Sequence, residues 1–254
     1  MQRSSACYAG DMTLYLQPPD AQEISRLDAL LAERRSDWWD QFYAQRERPV
    51  PFFGRAPDEH LAAWVEAGQL AAGPTLDLGC GNGRNALYLA RAGFAVEAVD
   101  YSAAAIRWAA ERAQEAGVDL PLQQGSVFDL QRPQGHYALV CDSGCFHHLP
   151  PHRRALYIAR IHAWLRPGGV LALCCFRPEG GSGLSDAEVY ERGTLAGGLG
   201  YSEMQLRAIW GGHFEIASLR PMHAQPADAE RFGADFLWAM RAIRRAESVS
   251  GVAL

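Results

Sequence analysis

No stretch of this chain stays apolar for the roughly 18–20 residues that a membrane-spanning helix needs, so no membrane partner is expected. Positive charge is not in excess either. Against 29 Asp and Glu stand 24 Lys and Arg, a formal net charge of −5. A broad basic face for a phosphate backbone, and with it a nucleic-acid substrate, is therefore not expected. Met1 to Gly10 holds one Arg and no apolar centre, unlike a secretory leader. The expected compartment is the cytoplasm, where the six cysteines stay reduced. Internal repeats and low-complexity tracts are missing too. A make-up of 48% apolar and 21% charged residues is ordinary for a globular protein. The 254 residues suit one α/β domain with an added subdomain.

What the chain does have, from Pro74 onward, is an alternation of strand and helix patterns. Strands are expected at 74–79, 95–100, 120–124, 137–142, 170–176 and 214–219. Helices are expected at 83–92, from Ser102 to about Gly117, at 151–165, and from the Ser202-x-x-Gln205 capping box to about Trp210. Residues 234–243 fit a strand and a helix alike, because Phe236, Leu237, Met240 and Ile243 also recur at helical spacing. Such alternation predicts a doubly wound α/β fold, a mostly parallel seven-stranded sheet with helices on both faces. Ligands of such sheets lie at the carboxyl ends of the strands, near the switch point.

Residues 1–70 read as an N-terminal arm and helical cover over a domain at 71–254. The arm ends at Pro18-Pro19. A capping box, Asp20-x-x-Glu23, opens a helix to about Arg35, with Ile24, Leu27, Leu30 and Leu31 on one face. A second short helix starts at Ser36-Asp37, Pro49 to Gly54 is extended, and a third helix lies between Pro57 and Gly68. Residues 177–200, rich in Gly and Ser, read as a lid-like insertion.

The most specific signal is Thr75 to Ala90. A short apolar run ends in Gly79, Gly81 and Gly83, and an apolar helical pattern follows. Glycines permit φ > 0 and leave no Cβ between the chain and a ligand near the helix N-terminus. The dinucleotide fingerprint G-x-G-x-x-G/A would need a small residue where Arg84 stands. That disfavours a nicotinamide-dependent oxidoreductase. Val96-Glu-Ala-Val-Asp100 ends a strand in an acid suited to ribose hydroxyls, and Tyr101 follows it; Ser102 is the better helix cap. Further on come Gln124-Gly-Ser-Val-Phe-Asp129 and Leu139-Val-Cys-Asp142 with its Ser-Gly-Cys-Phe-His-His-Leu149 tail. Leu165-Arg-Pro-Gly-Gly-Val-Leu171 ends one helix and starts a strand. Cys174 and Cys175, adjacent in a strand, read as buried free thiols.

In this order the segments resemble the class I, Rossmann-like, S-adenosylmethionine (SAM)-dependent methyltransferases of small-molecule type. The Trp-rich helix ahead of the glycines adds a weaker resemblance to the thiopurine and tellurite methyltransferase group. The resemblance implies SAM as cofactor and S-adenosylhomocysteine (SAH) as product. It implies cofactor contacts from Asp77, Gly79, Cys80, Gly81, Gly83, Asp100, Tyr101, Ser126, Val127 and Asp142, with Asp142 near the methionine part. Ser126 stands where the family usually has an acid, which leaves the Val127 backbone N–H for adenine. Backbone amides around 79–83 and the Asp100 carboxylate would together seat the adenosyl group.

His147 and His148 are the candidate bases, with His147 also facing substrate. Trp38, Trp39, Phe42, Tyr43, Phe52 and Phe53 crowd into 16 positions and form either a packed helix pair or an aromatic cover. Tyr43, Phe52 and Phe53 are its candidate substrate contacts. A zinc site from Cys141, Cys145, His147 and His148 lacks two well-spaced ligand pairs, so no metal is assigned. The leading expectation is methyl transfer to a small-molecule acceptor. A SAM-binding protein without catalysis and a macromolecular acceptor remain as alternatives. No feature speaks to the number of copies in an assembly.

Overall fold

The computed structural model describes residues 19–31 and 36–245. The arm expected before Pro19 and the far end of the first expected helix, 32–35, lie outside them. Seven strands form one sheet in the order β3-β2-β1-β4-β5-β7-β6. They are β1 (Pro74–Leu78), β2 (Ala95–Asp100), β3 (Leu122–Gln124), β4 (Tyr137–Ser143), β5 (Leu165–Phe176), β6 (Phe214–Pro221) and β7 (Leu237–Arg244). The first five pair in parallel; β7 lies antiparallel between β5 and β6. After β1 the chain fills one side of the sheet with β2 and β3, then returns to place β4 on the other. The switch point therefore falls between β1 and β4, where the glycine turn lies.

The eight helices among the described residues are α1 (Ala21–Leu30), α2 (Ser36–Ala44), α3 (Glu59–Glu66), α4 (Arg84–Arg91), α5 (Ala103–Ala116), α6 (Arg154–Trp164), α7 (Asp186–Arg192) and α8 (Glu203–Trp210). Their ends follow local chemistry. Asp20 caps α1 through the N–H groups of Gln22 and Glu23. Ser102 caps α5, and Gly117 closes it in the left-handed region at φ +63°. Ser202 and Gln205 form the expected reciprocal box at α8. Residues 237–244 are a strand because they pair on both edges, with β5 and with β6, and Leu237 to Met240 are buried. A strand buried on both faces is an apolar run, so its helical spacing was coincidental.

Two stretches differ from expectation. The Arg-Pro-Gly-Gly turn lies inside β5: Tyr137 pairs with Leu165 and Leu139 with Val170, so the intervening residues bulge from the ladder. Residues 177–200, read as a lid-like insertion, hold a helix that the sequence reading did not expect. Ser185 and Glu188 make a complete capping box for α7, and Val189, Leu195 and Leu199 join the main core.

The N-terminal helices are sewn to the sheet domain. Tyr43 and Phe53 pack with Ala104, Ala105 and Trp108 of α5. Asp40 accepts hydrogen bonds from Ser102 Oγ (2.7 Å) and Ala104 N–H (2.9 Å). Asp28 on α1 accepts from buried His152 (2.9 Å) and pairs with Arg153.

Candidate active site

A cavity of about 900 Å³ opens at the carboxyl ends of β1, β2, β4 and β5. Ligand sites run from about 300 to 1,000 Å³, so there is room for a cofactor and an acceptor together. Its walls carry Asp77, Gly79, Cys80, Gly81, Asp100, Tyr101, Ser126 and Val127 from the expected cofactor set. Tyr43, Phe52, His147 and His148 line it as well.

The glycine turn explains itself locally. Gly79, Gly81 and Gly83 have φ of +68°, +55° and +78°. A Cβ on Gly81 would stand 2.7 Å from the Tyr43 hydroxyl, and one on Gly79 would stand 3.0 Å from Cys145 Cβ. Four of the turn's amides already have partners within the protein. Gly79 and Cys80 N–H donate to Val99 O (2.8 and 3.0 Å), Gly81 N–H to Asp100 (2.8 Å) and Gly83 N–H to Cys80 O (2.9 Å). These bonds tie the turn to the end of β2. What the turn offers is bare backbone beside a braced carboxylate. The Asp100 oxygens accept from Gly81 and Ser102 N–H (2.8 Å each), and each keeps a second lone pair for a hydroxyl.

Three predicted residues stand away from the lining. Gly83 caps α4 and abuts Ala109. Phe53 is buried against Tyr43 and Trp108. Asp142 turns inward. It accepts from Cys145 N–H (2.7 Å), Phe146 N–H (3.1 Å) and the Tyr157 hydroxyl (2.6 Å). Its carboxylate thereby fixes the short 3₁₀ turn that carries both histidines.

The histidines form a directed pair. Phe176 N–H donates to His147 Nδ1 (3.1 Å). The single ring proton of neutral His147 therefore lies on Nε2, which stands 3.1 Å from His148 Nε2 and donates to it. The His148 proton is then on Nδ1. His147 also stacks on Phe176 at 3.6 Å and 11°, and Trp39 packs edgewise on His148 at 4.9 Å. Gly198 permits this packing. Its φ is +149°, and a Cβ there would lie 2.9 Å from Phe176, 3.1 Å from His148 and 3.2 Å from His147. We expect Gly198→Ala to spread the pair and lower kcat more than about tenfold, with SAH affinity within about twofold. Turnover and calorimetry on the variant check this; unchanged kcat would show that the pair plays no part.

Sequence reasoning missed Arg84, Asn85, Ser143, Cys174, Phe176, Phe232 and Phe236, which also line the cavity. Ser143, Cys174 and Phe176 stand at or near strand ends, a signal that was readable. Arg84 pairs with buried Asp58 (2.5 Å) and donates to Ser143 (3.1 Å). Asp58 also accepts from Asn85 (2.9 Å). Phe232 lies over the Arg84 guanidinium at 4.7 Å, held there by hydrogen bonds with Pro57 and Glu59.

Two carboxyls on the lining are poised near neutrality. Burial pushes Asp77 up to about 7 and Asp100 up to about 6. Asp77 Oδ2 is buried and accepts no hydrogen bond. Among the described residues no group of three or more His, Cys, Asp or Glu side chains could hold a metal ion, and no helix is long and apolar enough to cross a membrane. Their five cysteines are free thiols.

Residues 75–169 match a family described as methyltransferase domain. An uncharacterized methyltransferase of Synechocystis sp. is 34% identical over 121 residues, which cover 48% of this chain and 52% of that protein. A ubiquinone biosynthesis O-methyltransferase of Acinetobacter baylyi is 33% identical over 156 residues, 59% of this chain and 60% of that one. The chain thus spans half to three fifths of these curated relatives. A structure from work on conversion of a disulfide bond into a thioacetal group during echinomycin biosynthesis is 26% identical, covers 85% of this chain and 93% of that chain, and superposes with a TM-score of 0.63. The 1,6-didemethyltoxoflavin-N1-methyltransferase of Burkholderia thailandensis, solved with 1,6-didemethyltoxoflavin and SAH, shares the fold at a TM-score of 0.56, 22% identity and coverage of 91% and 93%. Over residues 75–169 the chain is similar to methyltransferase domains, and its fold is shared with solved methyltransferases.

Proposed function

We propose that this protein transfers a methyl group from SAM to a small-molecule acceptor. The observation that carries the reading is the unsatisfied Asp77 oxygen, buried on the cavity lining at the switch point. Asp77 calls for a cationic donor such as an ammonium, Asp100 offers lone pairs to ribose hydroxyls, and Tyr101 lies at the rim, 42% exposed. The residues present fit SAM. Bound there, SAM supplies a methyl already activated by its sulfonium.

The chain's own task is to align, enclose and handle a proton. Tyr43 and Phe52 come from the N-terminal cover to close the cavity from outside the sheet. His147 and His148 are proposed to take the acceptor's proton where it has one. In the resting pair His147 Nδ1 and His148 Nε2 already accept hydrogen bonds. A proton therefore enters only as His148 swings off His147. That suits an acceptor whose proton leaves after, rather than before, the methyl arrives.

Calorimetric titration with SAH and with NAD tests the reading, followed by transfer of labelled methyl to a panel of acceptors. SAH binding without NAD binding is expected. SAH binding with no turnover on any acceptor would favour a SAM-binding protein that does not catalyse.

A pH dependence follows from the two carboxyls. In an unfolded chain both lie near 3.8. As pH rises from about 4 to 7 the unfolded chain releases these two protons first, so the contribution of this pair to stability falls across that window and levels above it. Cationic and hydroxyl donors favour the ionised carboxylates, so SAH affinity is expected to rise over the upper part of that window. Titrations at about pH 5.5, 6.5 and 7.5 check the sign. Asp77→Asn should flatten the upper half; a wild-type affinity that falls with pH would refute the assignment.

A further inference from the structure

We propose that the end of the cavity beyond the cofactor takes an uncharged, planar aromatic acceptor. The proposal rests on reading the cavity as a methyl-transfer site. This end is built where β4, β5 and β7 meet: Ser143 pairs with Cys174 and Phe176 with Leu237. It is walled by flat rings. Phe176 and Phe236 stand 6.2 Å apart at 51°, Phe232 covers Arg84, and Trp39 closes on His148. Phe52 and Phe236 line the cavity while 37% and 40% exposed. Open aromatic faces gain most from another planar π-system, by offset or edge-to-face packing.

The charges point the same way. Of the five charged side chains on the lining, Asp77 and Asp100 belong to the cofactor end. Asp28 and Arg153 pair with each other. That leaves Arg84, whose charge is matched by Asp58 at 2.5 Å. A carboxylate or ammonium on the acceptor would enter an apolar space with no counter-charge left to meet it, and burying such an ion is costly. A neutral ring meets no such penalty. Its one polar group has the Ser143 hydroxyl to bond with.

The test uses four probes of matched size on the whole protein: naphthol, naphthoate, naphthylmethylammonium and decahydronaphthol. Each is titrated with and without saturating SAH. We expect naphthol to bind at least about tenfold more tightly than the two ions and the saturated alcohol. Phe236→Ala should weaken naphthol by about tenfold and leave SAH affinity within about twofold. Phe236 is exposed enough for the variant to keep its fold, which a thermal melt verifies; Phe176→Leu is the second variant. A charged or saturated probe binding as tightly as naphthol overturns the proposal. So does naphthol binding indifferent to both substitutions. Failure of SAH to bind defeats the cofactor reading instead, and the four probes are then ranked on the protein alone.

Discussion

Asp100→Ala is expected to weaken SAH binding by at least about a hundredfold. Hydrogen bonds to a charged partner contribute roughly 1.5–3 kcal/mol each, and two ribose hydroxyls are at stake, so the loss is roughly 3–6 kcal/mol. The substitution has a second effect. The carboxylate also receives the N–H groups of Gly81 and Ser102, so its removal slackens the turn against which the adenosyl group would lie. Asp100→Asn separates the two. Its single amide oxygen keeps part of the brace and loses the charge, so its affinity should fall between wild type and the Ala variant. Calorimetry measures the affinities, and a melt confirms the fold. An Ala variant that binds SAH as wild type does would remove the basis for placing an adenosyl group beside β2.

The largest effect on stability is expected from Arg84→Leu. Arg84 and Asp58 are 7% and 1% exposed and stand 2.5 Å apart. Burial pushes the Asp58 carboxyl up, but the Arg84 charge overrides it and holds it below the usual range. Remove the guanidinium and a carboxylate is left in the interior with Asn85 as its main donor. Breaking a buried pair from one side typically costs about 3–5 kcal/mol. For a chain of this size that lowers Tm by roughly 6–20 °C. The loss also reaches the cavity wall, because Arg84 holds Ser143 and the Ala56 carbonyl and carries Phe232 over its face. Asp58→Asn with Arg84→Leu should recover much of the melting temperature, since no unmatched charge remains. A melting point for Arg84→Leu within about 2 °C of wild type would show that the pair contributes little.

The end of the cavity around the glycine turn was legible in the sequence because it is local. A strand, three glycines and a helix follow one another within 16 residues, and the next strand ends in the acid that the turn needs. The partners of the amides were not legible, for a physical reason. Spacing shows that a turn is tight; only the fold shows that Val99 and Asp100 take the N–H groups of Gly79, Cys80 and Gly81. The end where β4, β5 and β7 meet was far less legible. Phe232 reaches the cavity because α3 grips it through Glu59 N–H, across more than 170 positions of chain. Asp142 was placed at the cofactor by resemblance, and Tyr157, 15 residues on, draws it inward instead. The α7 capping box, Ser185-x-x-Glu188, was there to be read amid the glycines and went unread.

Asp40 carries one more consequence. The first turn of α5 is completed by an acid 62 positions upstream, through Ser102 and Ala104. The same N-terminal segment sets the Tyr43 hydroxyl against Gly81. The sheet is thus finished from outside: residues before β1 supply parts of the floor as well as the roof. A chain cut just ahead of Pro74 would lack Tyr43 beside the glycine turn and the Asp40 cap on α5.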